Sequence, residues 1–180
     1  GDYWNRKNMY NTLGYKEYFD KSYFEVPTDK KSEDLVGLGL SDKSFFKQII
    51  PILKNIKESN TKYMGKIITL SNHSPFDDVT KYGNIDLGYL NDTEMGNYLK
   101  SAHYADEALG VFFKLVKKNG LDEDTVFILY GDHESKLGKK NLNLLYNYDE
   151  KSGEYKNKLD PTYVDLDNYQ YDILKNTPLI

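Results

Sequence analysis

Two side chains with metal-binding chemistry are adjacent in the tripeptide GDH, in the second half of the chain. Asp132 and His133 follow the apolar run TVFILY, and Gly131 permits a turn directly before them. In an extended strand the two side chains would point to opposite sides, but a turn lets a carboxylate oxygen and an imidazole reach one ion. Such a pair suits zinc, manganese or another divalent cation whose remaining ligands come from distant segments. The alternative is that Asp132 caps the following helix or turn and His133 is an ordinary surface residue.

A second polar cluster, SNHSPF, follows the apolar run KIITL and contains His73. An imidazole can donate a hydrogen bond to an anionic oxygen or bind a metal. His73 can equally be a hydrogen-bonded loop histidine without a ligand. The third histidine, His103, lies within a predicted helix and is assigned no role.

An aromatic and a cationic residue stand two positions apart near the start, in the tetrapeptide YWNR. In a strand or loop of period two, Trp4 and Arg6 would project from the same side. They would give a flat apolar wall beside a rigid fork of donors that suits phosphate or sulfate. The alternative is a packing or cation–π pair without a ligand.

Composition restricts the function classes. The 180 residues, 39% hydrophobic and 14% aromatic, are enough for one globular domain with a real core. A net charge of −4 argues against binding nucleic acid or an anionic membrane through bulk charge. The absence of cysteine excludes disulfides, thiolate metal sites and cysteine nucleophiles from this chain. The sequence also contains neither a transmembrane-length apolar run nor a signal-peptide pattern.

The order of elements around the polar clusters predicts an α/β fold. Residues 66–70 and 125–130 are apolar, β-branched runs typical of buried strands. Between them a helix is predicted from about residue 95 to 118, stopped by Gly120. Strand, long helix and strand form a right-handed βαβ unit, and ligands bind beyond the C-terminal ends of such strands. The helix would place Tyr98, Ala102, Ala105, Leu109, Phe112 and Val116 on its core face.

Two further helices are predicted in the first third of the chain. One covers residues 5–14 and ends at Gly14. The other begins with Ser41 or Asp42 as its N-cap, and Pro51 either kinks it or starts a second helix.

Shorter patterns predict the structure of the remaining segments. The pentapeptide YKEYF (15–19) suggests a short strand, and residues 139–176 suggest loops with a short helix and a turn at EKSGE. TPLI (177–180) would start one more strand. No internal repeat or interdomain linker is present.

Five ordered motifs together resemble one known family. YWNR, LGLSDKSFF, ITLSNHSPF, YADEAL and TVFILYGDH, in this order and spacing, are similar to the catalytic domain of lipoteichoic acid synthase and related phosphoglycerol transferases, members of the sulfatase and alkaline phosphatase superfamily. The resemblance runs from residue 1 to about residue 135. Beyond it, ESKLGKKNLNLLYNYDE departs from the synthase pattern and resembles other sulfatase-type proteins.

The resemblance implies an alkaline-phosphatase-like α/β fold with a mostly parallel central sheet flanked by helices. Residues 1–180 would be the C-terminal portion of one catalytic domain that is incomplete at both ends. In the family, the nucleophilic threonine, a glutamate metal ligand and a further substrate histidine precede the WNR motif, so no catalytic nucleophile is expected in this chain. We therefore expect little or no turnover from the chain alone.

The resemblance also implies residue roles and partners. Asp132 and His133 would bind a divalent metal, with Mn²⁺ as the first candidate and Mg²⁺, Zn²⁺ and Ca²⁺ as alternatives, and Trp4, Arg6 and His73 would contact glycerol phosphate. The threonine would attack a phosphatidylglycerol-type head group and pass the glycerol phosphate to a polymer or glycolipid acceptor, or to water. The site would face the outside of the cell, with the membrane reached only through N-terminal segments absent from this soluble chain, and nucleic acid is not an expected partner.

Two alternatives remain at this point. The parent could be a sulfatase or phosphodiesterase-type hydrolase instead of a transferase. The chain could also be a non-catalytic sulfatase-like module that binds a polymer, with its many tyrosines as stacking surfaces.

Overall fold

Two long helices form the centre of the molecule in the computed structural model, which describes residues 3–59, 62–177 and 179–180. Helix α2 and helix α3 pack side by side, and their apolar faces supply most of the main core. The aromatic rings of Phe46 and Phe112 meet at this interface, with ring centroids 4.7 Å apart. The α-helices among these described residues are α1 (Arg6–Thr12), α2 (Asp42–Glu58), α3 (Glu94–Lys118), α4 (Lys139–Asn147) and α5 (Asn168–Ile173).

Helix α2 begins where its capping residue predicts. Ser41 is the N-cap, and its hydroxyl accepts a hydrogen bond from the amide of Ser44 at 3.2 Å. The helix then continues through Pro51 without starting a second helix. Proline has no N–H, so one backbone hydrogen bond of the helix is lost at Pro51. Pro51 is exposed, so this loss lies on the solvent side of the helix, where it is tolerated.

Helix α3 has the predicted ends but a partly different buried face. Thr93 caps its first turn, and Gly120, with a φ of +61°, ends it. Phe112 and Val116 are buried as predicted. In the N-terminal half the helix buries a different side from the predicted one. There Met95, on the helix, belongs to a second apolar cluster together with Phe76, Leu90 and Leu137. The buried residues before Phe112 are Met95, Gly96, Ser101, Tyr104 and Ala108, whereas Tyr98, Ala102, Ala105 and Leu109 are half-buried.

Strand pairing is sparse in the described part of the chain. It comprises two antiparallel pairs of two-residue strands and one bridge between Tyr130 and Leu179. Residues 66–70 and 125–130 form no ladder apart from that bridge, although Ile67 and Phe127 pack against the main core, and 15–19 forms no strand. A strand becomes part of a sheet only when a second segment pairs with it. Because such pairing is almost absent from these two segments, the structure does not confirm the predicted parallel central sheet. The strands are β1 (Leu35–Val36) with β2 (Gly39–Leu40), and β3 (Tyr148–Asp149) with β4 (Glu154–Tyr155).

The last third contains more structure than predicted. Helices α4 and α5 and the hairpin β3–β4 occupy it, and EKSGE forms the hairpin turn as expected. Asn147, fully buried, holds the following loop: its side chain both donates to the carbonyl and accepts from the amide of Val164. The predicted TPLI strand is reduced to the bridge at Leu179, and Pro178 lies outside the described residues.

Candidate functional site

The turn that carries His73 is held by groups from both long helices. The Oδ1 atom of Asp42 accepts hydrogen bonds from the amides of Leu70 (3.0 Å) and Ser71 (3.1 Å). On the other side, the hydroxyl of Ser101 donates to the side-chain oxygen of Asn72 at 2.5 Å. The turn closes with a bond from the amide of His73 to the carbonyl of Leu70, at 3.1 Å.

The GDH segment places its two polar side chains at the surface. His133 and Asp132 are 41% and 70% exposed, and the distance from Nε2 of His133 to Oδ1 of Asp132 is 3.8 Å. The Nδ1 atom of His133 lies 2.7 Å from the carbonyl oxygen of Glu134. A carbonyl only accepts, so Nδ1 carries the proton in a neutral ring and Nε2 keeps its lone pair on the side of Asp132.

His73 and His133 are brought together although 60 positions separate them in the sequence. Their rings meet edge to face, with centroids 5.8 Å apart and an interplanar angle of 84°. The Nδ1 atom of His73 lies 2.7 Å from the carbonyl oxygen of Ser74, so its Nε2 atom is also the nitrogen left for another partner. One cluster therefore contains His73, Asp132 and His133, as expected from two polar segments that follow neighbouring extended runs.

Trp4 and Arg6 form a second group at the start of α1. The guanidinium carbon of Arg6 lies 5.7 Å from the centre of the Trp4 ring, a cation–π contact. Trp4 has a φ of +56° and Asn5 one of +52°, in a short 3₁₀ turn instead of an extended strand. Side-chain-bearing residues seldom adopt this left-handed region, and such strain is found preferentially at functional sites.

Lys66 connects α1 to the segment that leads into GDH. Its ammonium nitrogen lies 5.6 Å from the ring centre of Tyr10, in α1, and 5.8 Å from that of Tyr130. Hydrogen bonding to Tyr130 and then to Tyr10 raises the pKa of Lys66 above its usual value, although partial burial opposes the shift. The ammonium therefore joins α1, which contains Arg6, to the residue directly before the GDH segment.

The Asp132 and His133 pair fits part of a divalent-cation site. Two ligands bonded to one ion lie roughly 3 to 3.4 Å apart, so a small side-chain rotation from the observed 3.8 Å suffices. The bond from His133 to the Glu134 carbonyl is the kind of support that orients metal-binding imidazoles. No group of three or more His, Cys, Asp or Glu side chains suited to a metal ion occurs within residues 3–59, 62–177 and 179–180.

Comparison with known proteins decides the family. The sequence profile of the Sulfatase family matches residues 1–164. The chain belongs to the Sulfatase family. It is 38% identical over 136 residues to lipoteichoic acid synthase 1 of Bacillus subtilis (strain 168), covering 74% of this chain and 20% of that protein. It is 35% identical over 136 residues to the lipoteichoic acid synthase of Staphylococcus aureus (strain USA300), with the same coverage of both chains.

A solved structure supports the same relationship. The sulfatase-family chain superimposes on the lipoteichoic acid synthase LtaP from Listeria monocytogenes with a TM-score of 0.66 and 30% sequence identity. The match covers 86% of this chain and 39% of LtaP. The resemblance inferred from the five motifs is thus confirmed, and the chain spans about a fifth of the length of the curated relatives it matches.

The roles of Trp4, Arg6, His73, Asp132 and His133 remain predictions. The structure brings the last three together and pairs the first two. Lys66 and Ser101 were not singled out from the sequence, because a lysine before a strand and a serine within a helix have no local signal. Asp42 was identified only as a possible helix cap, and its distant bonds to Leu70 and Ser71 could not be predicted from spacing.

Proposed function

We propose that this chain supplies the metal-binding and head-group-binding part of a metal-dependent phosphoglycerol transferase. The enzyme would act on phosphatidylglycerol-type lipids in the synthesis of lipoteichoic acid or a related cell-envelope polymer. One observation carries the proposal: the His73 ring lies against the Asp132 and His133 pair, so the proposed phosphate-binding donor and the two proposed metal ligands share one surface. The Sulfatase-family membership and the lipoteichoic acid synthase relatives support it.

Each side chain of the site has a chemical task in this proposal. Asp132 and His133 would hold the divalent metal, preferably Mn²⁺, whose positive charge would face the phosphoryl oxygens. Arg6 would bind those oxygens with its fork of donors while the Trp4 ring covers the glycerol. His73 would donate a hydrogen bond from Nε2 to a phosphoryl oxygen as an imidazolium, because the proton on Nδ1 is already directed at the carbonyl of Ser74.

The nucleophile would come from outside residues 1–180. A threonine hydroxyl would attack the phosphorus, release the diacylglycerol and hold the glycerol phosphate as a covalent ester. An acceptor hydroxyl on a glycerol phosphate polymer or a glycolipid would then take over the glycerol phosphate, with cleavage of the bond to threonine and return of the threonine hydroxyl, on the outer face of the cell membrane. No helix among the described residues is long and apolar enough to cross a bilayer.

Metal binding is tested on the 180-residue chain itself by Mn²⁺ titration followed by nuclear magnetic resonance. Substoichiometric Mn²⁺ should broaden the amide signals around His73, Asp132 and His133 first, because paramagnetic broadening detects even a weak, incomplete site. Asp132→Ala and His133→Ala should each abolish the local broadening. The matched controls Asp106→Ala and His103→Ala change the same residue types elsewhere and should leave it intact.

Broadening that spreads over the acidic surface, or that survives Asp132→Ala, would contradict the metal assignment. Competition with Mg²⁺, Zn²⁺ and Ca²⁺ in the same experiment ranks the four cations. If no cation binds but a glycerol phosphate polymer shifts signals around Trp4 and Arg6, the chain is a polymer-binding module.

The reaction itself is tested with this chain inside a complete sulfatase-type domain. Release of labelled glycerol phosphate from phosphatidylglycerol vesicles should fall by about 100-fold or more in Asp132→Ala, the size of effect seen when a group that stabilises transition-state charge is removed. Turnover of aryl sulfates in place of the lipid would instead identify a sulfatase.

A further inference from the structure

A buried carboxylate lies behind the turn that carries His73. Asp42 is only 2% exposed and Ser71 is fully buried. Burial of a carboxylate is costly unless hydrogen bonds replace its water. Here the Oδ1 atom of Asp42 accepts hydrogen bonds from the amides of Leu70 and Ser71. In addition, the backbone amide of Asp42 donates a hydrogen bond to the Ser71 hydroxyl at 2.9 Å.

These bonds are not needed to cap α2. Ser41 already caps the helix through the amide of Ser44. The bonds recorded for the Asp42 carboxylate instead reach across 28 and 29 positions of sequence, to the backbone that leads into His73. Bonds from backbone amides to an ionised acceptor are among the stronger hydrogen bonds in proteins.

The turn has few other means of keeping its shape. Apart from the bonds to Asp42, it is held by the bond from the Ser101 hydroxyl to the side-chain oxygen of the exposed Asn72 and by its own bond from the His73 amide to the Leu70 carbonyl, and the chain before it has no ladder pairing. A shift of residues 70 and 71 would therefore move the His73 ring relative to His133, which it meets at 5.8 Å. Small displacements of this kind are costly for catalysis, because reacting groups must be held within a fraction of an ångström.

We propose that Asp42 is a positioning residue of the candidate site: its buried carboxylate fixes the turn at residues 70–71 and thereby sets the His73 ring against His133. The proposal rests on the proposed function, in which His73 contacts the head-group phosphate. The structural part of the proposal is that a carboxylate on α2 controls the position of His73. This part can be tested separately from metal binding and from lipid chemistry.

The test uses the 180-residue chain without metal or lipid. Amide hydrogen exchange at Leu70 and Ser71, and the nuclear Overhauser contact between the His73 and His133 rings, are compared in the unchanged chain, Asp42→Ala and Asp42→Asn. Asp42→Ala should speed exchange at both amides by about tenfold or more and remove the ring contact. Asp42→Asn keeps an oxygen acceptor but loses its charge, so exchange should rise only a few-fold and the ring contact should remain.

Asp167→Ala is the matched control, because Asp167 also accepts a backbone amide, that of Gln170 at 2.8 Å, but lies at α5. It should leave the His73 contact unchanged. Slow exchange and an intact ring contact in a folded Asp42→Ala chain would overturn the proposal. If that variant does not fold, Asp42→Asn decides: unchanged exchange at Leu70 and Ser71 would overturn it. Failure of Mn²⁺ to bind at Asp132 would leave these results standing.

Discussion

The protonation of Asp42 is governed by two opposing influences. Burial raises the pKa of its carboxyl above 3.8, and the amides of Leu70 and Ser71 lower it by a smaller amount. The folded chain therefore takes up this proton at a higher pH than the unfolded chain. By linkage, ionised Asp42 lowers stability at neutral pH, and this cost is relieved as the pH falls through the folded-state pKa towards 3.8.

We expect this effect to appear in the difference between the unchanged chain and Asp42→Asn. The free energy of unfolding of the unchanged chain, minus that of the variant, should rise as the pH falls from about 7 to about 4. Urea unfolding at a series of pH values measures it. Asp160→Asn should show the opposite trend at lower pH, with the difference falling as the pH drops below 3.8, because the Thr162 amide lowers the pKa of Asp160. Parallel pH profiles for Asp42→Asn and the unchanged chain would show that burial does not dominate.

At the scale of elements, α1 depends on tertiary contacts for its stability. It has seven residues, and isolated helices shorter than about 12 to 15 residues are marginal in water. Its buried residue, Tyr10, packs against Tyr15 and Tyr18 and lies 5.6 Å from the ammonium of Lys66.

Lys66→Met should therefore loosen α1 while the main core stays folded. Amide exchange within α1 should speed up several-fold, since a partly exposed cation–π contact contributes about 0.5–1 kcal/mol. Lys62→Met is the matched control on the same extended segment and should have no effect there. Equal exchange in both variants would show that Lys66 does not hold α1.

Helix α3 contains two glycines that predict opposite effects of the same substitution. Gly96 is buried in the first turn, and a Cβ added there would overlap the carbonyl oxygen of Leu90. Gly110 is exposed in the middle of the helix, and a Cβ there would meet nothing within 4 Å. Close backbone packing therefore requires glycine at the first position and not at the second.

Gly96→Ala should lower the free energy of unfolding by about 1–3 kcal/mol, the usual cost of overpacking. Gly110→Ala should raise it by about 0.5–1 kcal/mol, because alanine favours the helix. Chemical denaturation measures both variants. A loss of stability at Gly110, or none at Gly96, would be inconsistent with the packing of α3 against Leu90.

At the scale of the whole molecule, the sequence predicts a feature well when the residues that determine it lie within one short segment, and poorly when they come from distant segments. Helix α3 was predicted from its apolar period and from Gly120, both contained within the helix. The strand pattern of residues 125–130 is also local, but a ladder requires a second segment to pair with, and within the described part of the chain only Leu129 and Tyr130 find one, at residues 179–180. The approach of His73 to His133 was predictable in outline, since both follow extended apolar runs. The bonds of Asp42 join distant segments and carry no spacing signal.

The same segment gives a prediction about the behaviour of the chain in solution. Val126 is 86% exposed and Ile128 is 66% exposed, on an extended stretch of β-branched apolar residues. Exposed apolar chain with unpaired backbone groups promotes association through edge pairing. The chain should therefore self-associate with rising concentration, as measured by sedimentation velocity.

The double variant Val126→Thr with Ile128→Thr should reduce this association without loss of helix content, because neither side chain is part of the main core. Threonine keeps the β-branched shape, so the extended backbone is retained while the apolar surface is lowered. Leu159→Thr is the matched control: Leu159 is 91% exposed but lies in a loop between β4 and α5. If the control reduces association as much as the double variant, general hydrophobicity drives it. If only the double variant does, the 125–130 segment is the associating edge.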